Sequence, residues 1–118
     1  MNGKDLVEQI NSDLKIGEVL NNPGSGTSTI LSVLGSSVVY KRGITPIKYF
    51  YDDIILAYDK FKNKLCTTKD LKEFNPKVYG SKGCNSTFFF QLLERLDLTE
   101  GGICRIGHGG SPFCVKIK

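Results

Sequence analysis

Apolar residues recur along the chain in two rhythms. Near the N-terminus Leu6, Val7, Ile10 and Leu14 fall at helical spacing, so residues 4–14 are predicted as a short amphipathic helix. The stretch NNPGSG at residues 21–26 breaks that rhythm, because glycine supplies positive φ and proline fixes its own. STILSVLG and SSVVYKRG read as two strands meeting at Gly35 and Ser36, and TPIKYFY reads as a third. Together they predict a three-stranded antiparallel meander.

From residue 52 the rhythm turns helical again. Asp52 or Asp53 is placed to cap a helix over residues 52–62, with Ile54, Ile55, Tyr58 and Phe61 on its apolar face. LCTTKDLKEFNPKVYG starts a second, short helix, capped by Thr67 or Thr68 and ended by Pro76. Asn85 or Ser86 is expected to cap a third helix, STFFFQLLERL. On a 3.6-residue repeat its Phe88, Phe89, Leu92, Leu93 and Leu96 share one broad face, predicted to be core. Phe90 falls off the centre of that face and is expected under the following hairpin. Thr87, Gln91, Glu94 and Arg95 are predicted to point outward, behind a polar lead-in of Ser81, Lys82, Asn85 and Ser86. GGICRIGHGGSPFCVKIK reads as two strands around a tip of Gly107, His108, Gly109 and Gly110. In that hairpin Phe113, Val115 and Ile117 are expected to face the core, with Arg105, Lys116 and Lys118 outward.

The length of 118 residues fits a single α+β domain, residues 1–118, able to bury a core without staples. A composition of 40% hydrophobic and 24% charged residues is that of a globular protein. No apolar run approaches the roughly 18 residues that a membrane span needs, and the N-terminus lacks a signal-peptide core. A soluble, cytoplasmic protein without a membrane partner is therefore expected. Net charge is a mild +4, but it is unevenly spread. Residues 1–20 are acidic on balance. Residues 38–51 carry Lys41, Arg42 and Lys48 with no acid, and residues 101–118 carry Arg105, Lys116 and Lys118 with no acid. Basic charge on two predicted hairpins is compatible with a polyanionic partner.

Catalytic and metal chemistry find little support. Cys66, Cys84, Cys104 and Cys114 show no C-x-x-C spacing, and His108 is the sole histidine, so no metal and no cofactor is expected. A hairpin centred near residue 109 would set Cys104 opposite Cys114, which makes a disulfide conceivable, although free thiols are expected without a secretion signal. NPGSGTST lacks the lysine of a phosphate-cradling loop. His108 has no orienting partner in sequence, and GHGGSP is not a nucleophile elbow. Asp59, Asp70 and Glu73 fall on helices among lysines and do not form a nuclease core. The Tyr49, Phe50, Tyr51 run is read as core filling rather than a stacking platform. No enzyme is expected.

The order from residue 52 onward is helix, short Thr-capped helix, turn, longer helix and basic hairpin. This order resembles the winged helix-turn-helix class over residues 52–118, as found in bacterial transcription regulators, restriction systems and phage-encoded proteins. The resemblance implies non-catalytic binding of double-stranded DNA. The third helix would be the recognition helix, presenting Lys82, Asn85, Ser86, Gln91 and Arg95 to bases and phosphates. The C-terminal hairpin would be the wing, with Arg105, His108 and Lys116 along the backbone. Lys69 of the positioning helix and Lys41 and Arg42 of the first hairpin would add contacts. A minimal winged helix lacks the N-terminal meander of residues 17–50, which forms either a sheet packed on the helices or a second binding surface. The competing expectation is a small phage-type inhibitor or adaptor that binds a host protein, defence proteins included. Homodimerisation through the first helix is a further possibility, since helix-turn-helix proteins often match a two-fold site.

Overall fold

A helix start needs partners for its free N–H groups, and the first helix finds them both locally and at a distance. In the computed structural model, which describes residues 1–24, 26–80, 84–105 and 113–118, α1 spans Gly3–Asp13. Asn2 and Asp5 form a reciprocal capping box across its first turn. The Gly3 amide also donates to Asp59 Oδ1 at 2.7 Å, on the helix α2, Tyr51–Phe61. Only glycine permits that approach, because a Cβ at residue 3 would lie 2.7 Å from the Ile55 Cα. Leu6 and Ile10 of α1, with Leu14 at its C-cap, are buried in the core.

Four strands follow where three were expected. β1 (Val19–Asn21), β2 (Thr27–Ser32), β3 (Ser37–Arg42) and β4 (Thr45–Phe50) form an antiparallel sheet in chain order. The extra strand, β1, is too short for a period-2 pattern to reveal; it is held by pairing with β2, Val19 opposite Thr29 and Asn21 opposite Thr27. Gly43, at φ +65°, opens the two-residue loop between β3 and β4, as a tight hairpin turn requires. The inner face of the sheet carries Ile30, Val38, Tyr40 and Tyr49, all buried.

The second half departs from expectation in its caps and strands. Neither Asp52 nor Asp53 caps α2; Phe50 stands at that position without a side-chain bond, and both acids sit in the first turn, where they favour the helix dipole. Thr67 does cap the next helix, α3 (Thr68–Phe74), through a capping box with Asp70. Pro76 does not end that helix. Asn75 does, and Pro76 opens a separate single turn, α4 (Pro76–Tyr79), because its missing N–H costs nothing at a first helical position. The long helix α5 begins at Cys84 and runs to Arg95, so Asn85 and Ser86 lie within its first turn rather than capping it. A short β5 (Leu65–Thr67), also unexpected, pairs with β7 (Phe113–Ile117), which in turn pairs with β6 (Thr99–Arg105). This second, three-stranded antiparallel sheet has the order β5-β7-β6.

The Phe88–Phe90 triplet answers to both sheets. All three rings are fully buried, with Phe88 stacked on Tyr40 of β3, centroids 3.7 Å apart and planes 7° from parallel. Tyr49 meets Phe88 edge-on and shares a hydroxyl contact with Tyr79 of α4. One continuous apolar cluster thus joins α1, both sheets and α5. Among the described residues no helix is long and apolar enough to cross a membrane.

Removing the central ring should be far costlier than removing a cap. Phe88→Ala is expected to destabilise the fold by roughly 3–5 kcal/mol, against about 1 kcal/mol for Thr67→Ala, in urea unfolding followed by circular dichroism. Similar losses from both would contradict the central place of Phe88. A pH dependence follows from the tyrosines. Burial pushes the phenols of Tyr40, Tyr49, Tyr51, Tyr58 and Tyr79 above their usual value. The unfolded chain releases those protons near pH 10 while the fold retains them, so their stabilisation is complete below about pH 10 and is lost as pH rises beyond it. Tyrosinate absorbance should appear together with loss of helical circular dichroism; five phenols ionising near pH 10 in an intact fold would refute this.

Candidate functional site

Part of the α5 face expected to meet bases is turned into the protein, while Glu94 and Arg95 are exposed as expected. Ser86 is 2% exposed and Gln91 is 3% exposed. Gln91 Nε2 donates to the Asn21 carbonyl and, at 3.0 Å, to Asn22 Oδ1, while its Oε1 accepts from Arg42 Nη2 at 2.8 Å. Arg42 also donates through Nε to Ser28 Oγ at 2.9 Å and through Nη1 to Thr87 Oγ1 at 2.7 Å. Asn85 is half-buried, accepting from the Tyr40 hydroxyl at 2.7 Å and donating to the Val78 carbonyl at 3.0 Å. Residues 85, 88 and 91 lie near one another on a helix. The docking that buries Phe88 against Tyr40 therefore carries Asn85 and Gln91 into the same interface. The expected outward orientation of Gln91 is corrected accordingly, that of Ser86 by its burial, and Arg42 serves as an internal bridge rather than as a surface cation.

The remaining cations do not converge. Arg105 is the register partner of Phe113, its guanidinium 5.2 Å from that ring. It therefore belongs to the ribbon face that also bears Val115 and Ile117, and Gly24 of the β1–β2 loop lies nearby. Lys116 is on the opposite face, between Leu65 and Glu100, and donates to the Asn63 carbonyl at 2.8 Å. The expected shared orientation of Arg105 and Lys116 fails because strand neighbours an odd number of residues apart in register face opposite sides. Arg95 pairs with Glu18 at 2.8 Å, Lys118 with Asp97 at 3.7 Å, and Lys69 with Glu73 at 3.9 Å. Lys41 is exposed on the outer face of the four-stranded sheet. Lys82 and His108 lie outside the described residues.

That outer face is the surface on which the structure does bring chemistry together. Register sets Val19, Thr29, Lys41 and Pro46 in one row across four strands, and Val39 and Lys48 in the next. Leu31 lies beside Val39 at a β-bulge. Val19 is 54% exposed, Leu31 37% and Phe50 48%. Lys48 Nζ sits 5.9 Å from the centre of the Phe50 ring, a cation–π arrangement. No Asp or Glu occurs between Glu18 and Asp52, so the entire sheet is free of negative side chains. The sequence carries this signal in two forms, the acid-free stretch and strands with apolar residues at both parities, such as Leu31 beside Ile30 and Val39 beside Val38.

At the β1 edge a groove of about 340 Å³ runs against α5, lined by Val19, Leu20, Asn21, Gln91, Glu94 and Arg95. Its polar lining is already engaged, Gln91 with Asn21 and Arg95 with Glu18. Among the described residues no group of three or more His, Cys, Asp or Glu side chains is placed to hold a metal ion. Compared with protein-family models, with curated proteins and with solved structures, the chain matches none.

The Arg42–Gln91 bridge should behave as one energetic unit. Arg42→Met and Gln91→Leu are each expected to cost about 1–3 kcal/mol, since each strands a partly buried polar partner. The double variant should lose less than the sum, with a coupling of roughly 0.5–3 kcal/mol in denaturant unfolding. Simple additivity would mean that the bridge is not formed in solution.

Proposed function

We propose that this chain is a non-catalytic binding module that docks a protein partner through the outer face of its four-stranded sheet. The observation that carries the reading is an exposed sheet face combining Val19, Leu31 and Phe50 with Lys41 and Lys48 and no acid. A solvated antiparallel sheet face is ordinarily polar, and exposed apolar side chains grouped on one face mark protein contact. The charge selects an acidic rim on the partner. It also disfavours a second copy of this chain, because a two-fold contact would set Lys41 and Lys48 against their own images with no carboxylate between them. Such a module fits a small inhibitor or adaptor that acts on another protein.

Duplex DNA binding is the second reading. The order α2, β5, α3, α4, α5, β6, β7 supports a winged-helix arrangement of residues 52–118, with β5 and α4 as additions. Two features weigh against this second reading. Ser86 is buried, and Gln91 is consumed in the sheet interface. The lysines of the exposed sheet number two, enough for a log–log salt slope of only about −2, whereas DNA-binding surfaces commonly engage roughly 6–10 phosphates.

Affinity capture from the native host distinguishes the readings. The partner retained by the wild-type chain should be lost at least about tenfold with Leu31→Ser/Phe50→Ser or Lys41→Glu/Lys48→Glu, and retained by Lys69→Glu/Lys72→Glu. A partner indifferent to the sheet variants would overturn the proposal. So would a gel shift on random duplex DNA that weakens steeply with salt and disappears in Lys69→Glu/Lys116→Glu.

A further inference from the structure

The β6–β7 ribbon holds a pair of thiols that neither reading of function uses. Cys104 and Cys114 are direct Cα partners across the two strands, and both thiols are free. Residues directly opposite in an antiparallel pair lie about 4.5–5.5 Å apart at Cα, inside the roughly 4.4–6.8 Å that a disulfide spans. Their side chains leave the sheet on the same side. Cys104 is exposed and Cys114 is buried. The other two cysteines are not alternatives within the ladder. Cys66 is opposite Val115, one position out of phase with Cys114 and therefore on the other face of the sheet, and Cys84 stands at the start of α5.

The ladder itself is weakest beside this pair. Between Glu100 and Cys104 the register slips, so that Gly101, Gly102 and Ile103 oppose Val115. Beyond the bulge only the Cys104–Cys114 and Arg105–Phe113 rungs hold the described strands together before residues 106–112. A covalent rung at this position replaces the least supported part of the pairing.

We propose that Cys104 and Cys114 form a thiol modification site that takes a disulfide across the stem of the ribbon, by exchange with a low-molecular-mass disulfide such as oxidised glutathione. The exposed Cys104 thiolate attacks one sulfur of the reagent, forming a mixed disulfide and releasing one thiol. Cys114, as thiolate, then attacks the Cys104 sulfur and expels the second thiol. Two protein thiols are oxidised, one reagent disulfide is reduced to two thiols, and the two protons leave on the released thiols. Exchange of this kind needs the thiolate at each step. Burial, assisted by the neighbouring Cys104, holds the Cys114 thiol above its usual value. Burial first, then Asp70, pushes the Cys66 thiol up to about 12, which keeps it out of the exchange. The second step therefore accelerates with rising pH.

Incubation of the full chain with oxidised glutathione at pH 8, followed by mass spectrometry and peptide mapping, tests the site. The expected product has lost two hydrogens, links Cys104 to Cys114 within one chain, and melts higher by on the order of 5–10 °C. The rise should vanish with dithiothreitol and be absent in Cys104→Ser and in Cys114→Ser, whereas Cys66→Ser and Cys84→Ser should retain the crosslink. Because Cys104 is exposed, its serine variant should fold as the reduced wild type does, so loss of the shift is separable from misfolding. A stable glutathione adduct on Cys104, a crosslink to Cys66 or Cys84, or a disulfide between two chains would each overturn the proposal.

Discussion

The contact on which the rest of the molecule depends is the stack of Phe88 on Tyr40. It joins the N-terminal sheet to the long C-terminal helix, and the fully buried pair anchors one apolar cluster. Aromatic pairs contribute roughly 0.5–1.5 kcal/mol beyond the area they bury, but the geometric effect here is larger than the energetic one. Once Phe88 is seated, the rotation of α5 about its axis is fixed. Phe89, Phe90, Leu92 and Leu93 then face the remainder of the core, and Gln91 is turned into the sheet interface.

A helix covered on two sides must place its polar residues in an interface, and the structure resolves this by pairing them. Buried amides and guanidinium groups are costly unless their hydrogen bonds are met. Arg42 meets neutral oxygens of Ser28, Thr87 and Gln91 and makes no ion pair among the described residues. Gln91 uses its amide nitrogen on Asn21 and Asn22 and its oxygen on Arg42. The cation therefore fixes the sheet in register against the helix instead of meeting an external anion. What remains for recognition is the opposite face of the same sheet, where alternation along β2, β3 and β4 necessarily exposes the residues between those that were buried. The inward demand for Ile30, Tyr40 and Tyr49 and the outward display of Leu31, Lys41, Lys48 and Phe50 are consequences of one pleat.

The terminal ribbon follows the same parity rule. Its central strand, β7, sends Val115 and Ile117 to the core and Cys114 and Lys116 to the other side. Arg105 falls with the first group and Cys104 with the second. A ribbon with its cations divided between two faces is poorly suited to tracking one phosphate backbone, yet the same division sets two thiols side by side.

Local elements were readable from the residue pattern wherever the signal was local. The apolar stripe of α1, the Thr67 cap, the strands ending in Arg42 and Phe50, and the inward face of α5 all follow from periodicities of two or 3.6 and from cap chemistry within a few residues. β1 and β5 escaped because three-residue strands are made by their partners and show no alternation of their own. The fate of Gln91 and Arg42 escaped for a different reason. A polar stripe on a helix looks the same whether it faces water or a matched set of hydrogen-bonding groups far away in sequence. The amino-acid order thus determined the secondary elements, the apolar residues available for burial and the acid-free composition of the sheet. Which polar residues became internal, and which sheet face stayed open, was decided by the docking of Tyr40 on Phe88, a contact between residues far apart in the chain that no local period encodes.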